Sequence, residues 1–144
     1  MKLEKLKLHN FMAYKGDHEI DFTVSDHAPL ILFLGENGHG KSTVQNACKW
    51  CLYDQNVEMP HQELINRKAF AENPKDPSLN MSVTLSWSDE GTNYELFRSW
   101  EPNGIDPLSS HPILRIDGGN AVSASTVQDY VQRFLAKEIS HFFF

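Results

Sequence analysis

The residues best placed to do chemistry are Gly35-Glu36-Asn37-Gly38-His39-Gly40-Lys41-Ser42-Thr43, which fit the spacing G-x-x-x-x-G-K-[ST]. Glycines in such a loop let the backbone take positive φ and aim successive N–H groups at phosphate oxygens, so Gly35, Asn37, Gly38, His39 and Gly40 form a candidate anion cradle. His39 holds a free position of the loop, where its side chain is expected to face solvent. Lys41 is placed to reach the β- and γ-phosphates, Ser42 to put its hydroxyl on Mg²⁺, and Thr43 to help at the α-phosphate. The spacing therefore points to a nucleotide held with Mg²⁺. The plain alternative is a glycine-rich strand-to-helix turn with a surface lysine.

Several elements must position that loop. The apolar run Leu30-Ile31-Leu32-Phe33-Leu34 predicts a buried strand feeding into it. After it, Val44, Ala47, Cys48, Cys51 and Leu52 recur at helical spacing, which predicts an amphipathic helix from Lys41 to about Tyr53. Residues 2–8 and 18–22 each alternate apolar with charged residues and are expected to pair as strands, with 9–16 as their connection. A shorter helical or irregular piece is expected over 61–70 and a surface loop over 71–77. Val83, Leu85 and Trp87 alternate with Ser82, Thr84, Ser86 and Ser88, and 94–99 returns, giving a hairpin across Asp89-Glu90-Gly91-Thr92. Prolines and a glycine make 101–111 a loop, with Pro112 counted among the breakers, and 113–116 follows as a short strand. Ser125-Thr126-Val127-Gln128 matches a capping box, ahead of a helix carrying Val127, Tyr130, Val131, Phe134 and Leu135.

At 144 residues the chain can build one domain with a real core. Its 40% hydrophobic and 22% charged content is that of an ordinary globular chain, without an apolar run long enough for a membrane span or a secretory h-region. A cytoplasmic location without membrane contact is expected. A formal net charge of −6 supplies no overall attraction to nucleic acid, so DNA contact needs a local patch or other chain. Cys48 and Cys51 have C-x-x-C spacing, but they fall two turns into the expected helix and have no second ligand pair. They read as small core residues, and none of the seven histidines is assigned to a metal. His141-Phe142-Phe143-Phe144 ends the chain on an apolar run, which reads as a truncation inside a strand.

These pieces together resemble the N-terminal half of an SMC-like, ABC-type ATPase head. The resemblance is carried by Met1-Lys2-Leu3, Asn10-Phe11, Tyr14, Ile20-Asp21-Phe22 and Gly35 through Thr43 with its helix. Leu64-Ile65-Asn66-Arg67-Lys68-Ala69, Arg98-Ser99-Trp100 and Ile139-Ser140-His141-Phe142-Phe143-Phe144 look most like the DndD family of DNA sulfur modification ATPases and its relatives in phage defence. The double-strand-break repair ATPases belong to the same wider group. The resemblance implies an incomplete α/β P-loop fold, with a mixed central sheet and flanking antiparallel strands, residues 1–144 being one lobe that stops before the Q-loop. It further implies Mg-ATP binding, a separate C-terminal head lobe after a coiled coil, a homodimer of heads, and DNA reached through the full assembly. Other subunits of a repair or defence complex fit the same picture.

No residue of 1–144 is assigned as catalytic, and the chain alone is expected to hydrolyse little ATP. Relatives often carry a basic residue directly after the Asn-Phe pair; here Met12 stands there, and Lys15 could take that role or be a solvated loop lysine. Arg67 and Lys68 are expected at the surface or between lobes rather than on adenine, and Phe11 and Tyr14 either flank the base or pack. Two other readings stay open: a self-contained P-loop protein of another class, and a nucleotide-binding or structural partner module without hydrolysis.

Overall fold

The computed structural model describes residues 1–25, 27, 31–36, 40–54, 59–106 and 109–134. Its elements run β1 (Lys2–Phe11), β2 (Tyr14–Asp21), α1 (Lys41–Tyr53), α2 (His61–Leu64), α3 (Arg67–Glu72), β3 (Met81–Asp89), β4 (Thr92–Trp100), β5 (His111–Ile116) and α4 (Ala124–Phe134). The five strands form one sheet in the order β2-β1-β3-β4-β5, each neighbouring pair antiparallel.

Period-two alternation sets the register. Leu6 and Leu8 of β1 lie opposite Leu85 and Val83 of β3, and Leu85 lies opposite Leu96 of β4, so one apolar face runs across the sheet. α1 lays Val44, Ala47, Cys48, Cys51 and Leu52 into the same buried core, while α4 adds Val127 and Val131. Burial pushes the thiols of both Cys48 and Cys51 up to about 12, which fits their reading as core residues. The Cys51 thiol lies 3.3 Å from the Leu96 carbonyl oxygen. β3 and β4 join through Glu90 and Gly91, both at positive φ, as a tight hairpin requires. Among the described residues, no helix is long and apolar enough to cross a membrane.

Four expectations change in detail. Residues 31–36 lie in no strand, and Leu32 and Leu34 are 71% and 82% exposed, although Phe33 meets Phe22 edge-on. A buried strand needs neighbours on both sides, and no described strand pairs with this run; Leu30 lies outside the described residues. The described sheet is consequently antiparallel throughout. The connection expected over 9–16 shrinks to Met12-Ala13, because β1 and β2 continue pairing as far as Phe11 and Tyr14. Pro112 sits inside β5 rather than ahead of it, which is tolerated because β5 is an edge strand. α4 begins at Ala124, with the Thr126 amide and hydroxyl both donating to the Ser123 carbonyl, so the cap falls two residues before Ser125. Leu135 and the terminal phenylalanine run lie outside the described residues.

The C-terminal end of α1 is fixed by a buried ionic group. Arg98 alternates inward between Leu96 and Trp100 and is only 3% exposed. Its Nε donates to the Cys51 carbonyl at 2.8 Å, placing a cation at the negative end of the α1 dipole, and its Nη1 donates to Ser110 Oγ at 2.8 Å. Ser110 in turn donates to Asp54 at 2.6 Å, and His61 lies 3.3 Å from the same carboxylate. Burial pushes the Asp54 carboxyl up, but the His61 and Ser110 hydrogen bonds and the Arg98 charge together leave it below its ordinary value of 3.8. A depressed carboxylate stabilises the fold above its unfolded value and loses that contribution as pH falls through the folded one. The stability gap between wild type and Asp54→Asn, followed by urea midpoint, should therefore hold steady above 3.8 and close only at lower pH. A gap that widens on acidification contradicts this.

Candidate functional site

The N-terminal end of α1 carries the candidate phosphate loop. Gly40 caps the helix at φ 89°, a left-handed conformation that suits glycine. A Cβ there would stand 3.1 Å from the Tyr14 hydroxyl and 3.2 Å from its ring, so side-chain room is also lacking. α1 has no acidic residue in its first turn, which leaves its positive end unneutralised from within the helix. Lys41 curls back over the loop, its ammonium donating to the Gly35 carbonyl and, at 2.7 Å, to that of Glu36. Ser42 is exposed at the helix start and Thr43 is buried beside it. Asn37, Gly38 and His39 lie outside the described residues.

Thr43 also lines a cavity of about 540 Å³ whose wall includes Met12, Lys15, Asn66, Arg67 and Lys68. Its three cations, Lys15, Arg67 and Lys68, stand against Glu63 of the wall and Glu72, which pairs with Lys15. An electropositive hollow abutting a helix N-terminus suits a polyanion. Arg67 and Lys68 are exposed, and they line this cavity together with Thr43. Lys15 is brought to the same wall, where its ammonium contacts both Glu72 oxygens at 2.6 and 2.5 Å. Phe11 is core, packed on Trp50 with ring centroids 5.5 Å apart, while Tyr14 stands over Gly40.

Two buried asparagines to which the sequence reading gave no role of their own shape the cavity. Asn66 donates from Nδ2 to the Met12 carbonyl at 2.7 Å, and its Oδ1 accepts from the amides of Lys68 and Ala69 at the start of α3. Its own amide donates to the Asn10 carbonyl at 2.7 Å, and the Met12 amide donates to the Leu64 carbonyl. Asn10, at φ 48°, accepts from the Gly16 amide and donates to the Asn80 carbonyl. Asn66 did carry a legible signal: asparagine ahead of a helical run is a favoured cap. The tie to Met12, 54 residues away in the chain, carried none.

Comparison with known proteins fits this geometry. Residues 5–139 match the AAA domain family. The chain belongs to that family. The chain is 26% identical over 134 residues to the DNA double-strand break repair Rad50 ATPase of Thermoplasma volcanium, covering 92% of this chain and 13% of that protein. It is 40% identical over 53 residues to a subunit of the nuclease SbcCD from Treponema pallidum, covering 37% of this chain and 5% of that protein. The Septu protein PtuA of Bacillus mycoides is 34% identical over 70 residues, 47% of this chain and 9% of PtuA. In structure the chain resembles the SMC head domain from Thermotoga maritima, with a TM-score of 0.51 at 19% identity, over 90% of this chain and 42% of the other. This AAA-domain chain therefore has the fold of an SMC-like, ABC-type head lobe and spans a small part of its curated relatives' length. These relatives support the resemblance at the SMC-like level and do not single out DndD.

Asn66 gives a direct test of how the cavity is held. Asn66→Ala removes the α3 cap, worth about 1 kcal/mol, and strips buried backbone partners at a further cost of about 1–3 kcal/mol. The loss by urea denaturation should be about 2–4 kcal/mol, whereas Arg67→Ala on the exposed rim should stay within about 0.5 kcal/mol of wild type. Equal effects at the two positions contradict the account.

Proposed function

We propose that this chain is the ATP-binding lobe of a DNA-associated, SMC-like ATPase, taking Mg-ATP at the phosphate loop and driving dimerisation of heads. The observation that carries the reading is one of position. The G-x-x-x-x-G-K-[ST] segment runs straight into α1, and the first turn of that helix opens on a cavity bearing Lys15, Arg67 and Lys68. On this reading the loop residues Gly35, Asn37, Gly38, His39 and Gly40 would hold the triphosphate. Lys41 exchanges the Gly35 and Glu36 carbonyls for phosphate oxygens, a trade of neutral acceptors for charged ones. Ser42 offers its exposed hydroxyl to Mg²⁺, which would offset phosphate charge, and Thr43 stands near the α-phosphate. On this reading the nucleotide extends from the loop over the cavity between Met12 and α3, with Lys15, Arg67 and Lys68 facing its phosphates.

No residue of this chain is given a catalytic role in the proposal. Phosphoryl transfer depends on several groups positioned together, and on this reading the remaining ones come from a C-terminal head lobe and a second head. The exposed run over 32–34 supports that arrangement, because Leu32 and Leu34 present apolar surface that a strand from another lobe would cover. The Rad50 ATPase of DNA double-strand break repair and the nuclease SbcCD, both similar to this chain, support DNA repair as the setting, and a defence complex is the other setting the resemblance implies.

Lys41→Ala should weaken ATP binding by about ten- to a hundredfold in calorimetry and abolish ATP-dependent dimerisation of the full-length protein in light scattering. Wild-type affinity and dimerisation in this variant overturn the proposal.

A further inference from the structure

Lys15 and Glu72 form an exposed ion pair at the wall of the cavity beside Thr43. The Lys15 ammonium points two of its three donors at the Glu72 carboxylate, at 2.6 and 2.5 Å. The two side chains come from the start of β2 and the last residue of α3, and both are about half exposed. Lys15 also lines the cavity that Thr43 and Arg67 share. Its long, flexible stem leaves the charge free to swing between a carboxylate on one side and a phosphate on the other. α3 is thus tied to the β1–β2 hairpin at both ends, by the buried Asn66 side chain on the Met12 carbonyl and by the exposed Glu72 on Lys15. Only the second tie can be exchanged without exposing a buried polar group.

We propose that Glu72 competes with the phosphates of the bound nucleotide for Lys15 and so lowers the nucleotide affinity of this lobe. The inference rests on the reading that the nucleotide lies between the phosphate loop and this cavity. With ATP present, the ammonium leaves Glu72 for phosphate oxygens, and the end of α3 is released while its capped start stays in place. With ATP gone, the ion pair re-forms and offsets one of the cavity's positive charges. The competition is electrostatic, so it acts on ligands that carry phosphate and not on the nucleoside.

Calorimetric titration of Mg-ATP and, separately, of adenosine into wild type, Glu72→Gln, Lys15→Met and the double variant tests this. Glu72→Gln should bind ATP about two- to fivefold more tightly, with adenosine affinity unchanged. Lys15→Met should bind ATP more weakly than wild type, and adding Glu72→Gln to it should change nothing. A gain that persists in the Lys15→Met background overturns the proposal in favour of a general field from Glu72. A gain for adenosine overturns it in favour of a reshaped cavity, and no gain for ATP overturns it outright. Wild-type chain that binds no ATP overturns the underlying reading instead, and so separates the two failures.

Discussion

The hydrogen bonds of Asn10 and Asn66 are the constraint on which the site depends. They bind the turn after β1 to the segment between α2 and α3, stretches that share no local sequence logic, and they satisfy backbone groups left where the left-handed Asn10 breaks the register of β1. Buried polar groups are costly when unpaired, so a fully partnered set fixes one arrangement and penalises others. The cavity beside Thr43 exists because Met12 and the α3 start are held across it in this way.

α1 turns that local arrangement into a rigid mount. Its middle is locked by Ala47, Cys48 and Cys51 in the core, and its far end by Arg98, which reaches the Cys51 carbonyl and, through Ser110, the Asp54 cap. His61 lies between the Trp50 and Trp100 rings and touches Asp54, so the anchoring group also seats the start of α2. The phosphate loop and the α2–α3 wall thus share one support. The long side chains at the rim are held only by exposed contacts: Lys41 on the Glu36 carbonyl and Lys15 on Glu72.

Local pattern made much of this legible. Helical spacing placed α1 from Lys41 to Tyr53, and alternation placed the β3–β4 hairpin, because in both the face that packs is written into consecutive residues. The failures share a different cause. Leu30 to Leu34 looks like a buried strand, yet whether such a run is a strand depends on neighbours, and none of the described strands takes that place. Pro112 reads as a breaker until β5 is known to be an edge. Arg98 is hidden because a charge in an apolar alternation signals nothing about the carbonyl it meets. In the site, the phosphate-loop pattern was plain from spacing alone. The convergence of Lys15, Arg67 and Lys68 with Thr43 was not, since it arises from contacts distant in the chain.

The claim that three separated segments make one nucleotide site is tested most directly by hydrogen–deuterium exchange of the chain with and without Mg-ATP. The account predicts slower exchange in 10–16, 40–44 and 64–69 together, with β5 unchanged. Protection confined to residues around Lys41, or none at all, contradicts a site shared by the phosphate loop and the cavity wall.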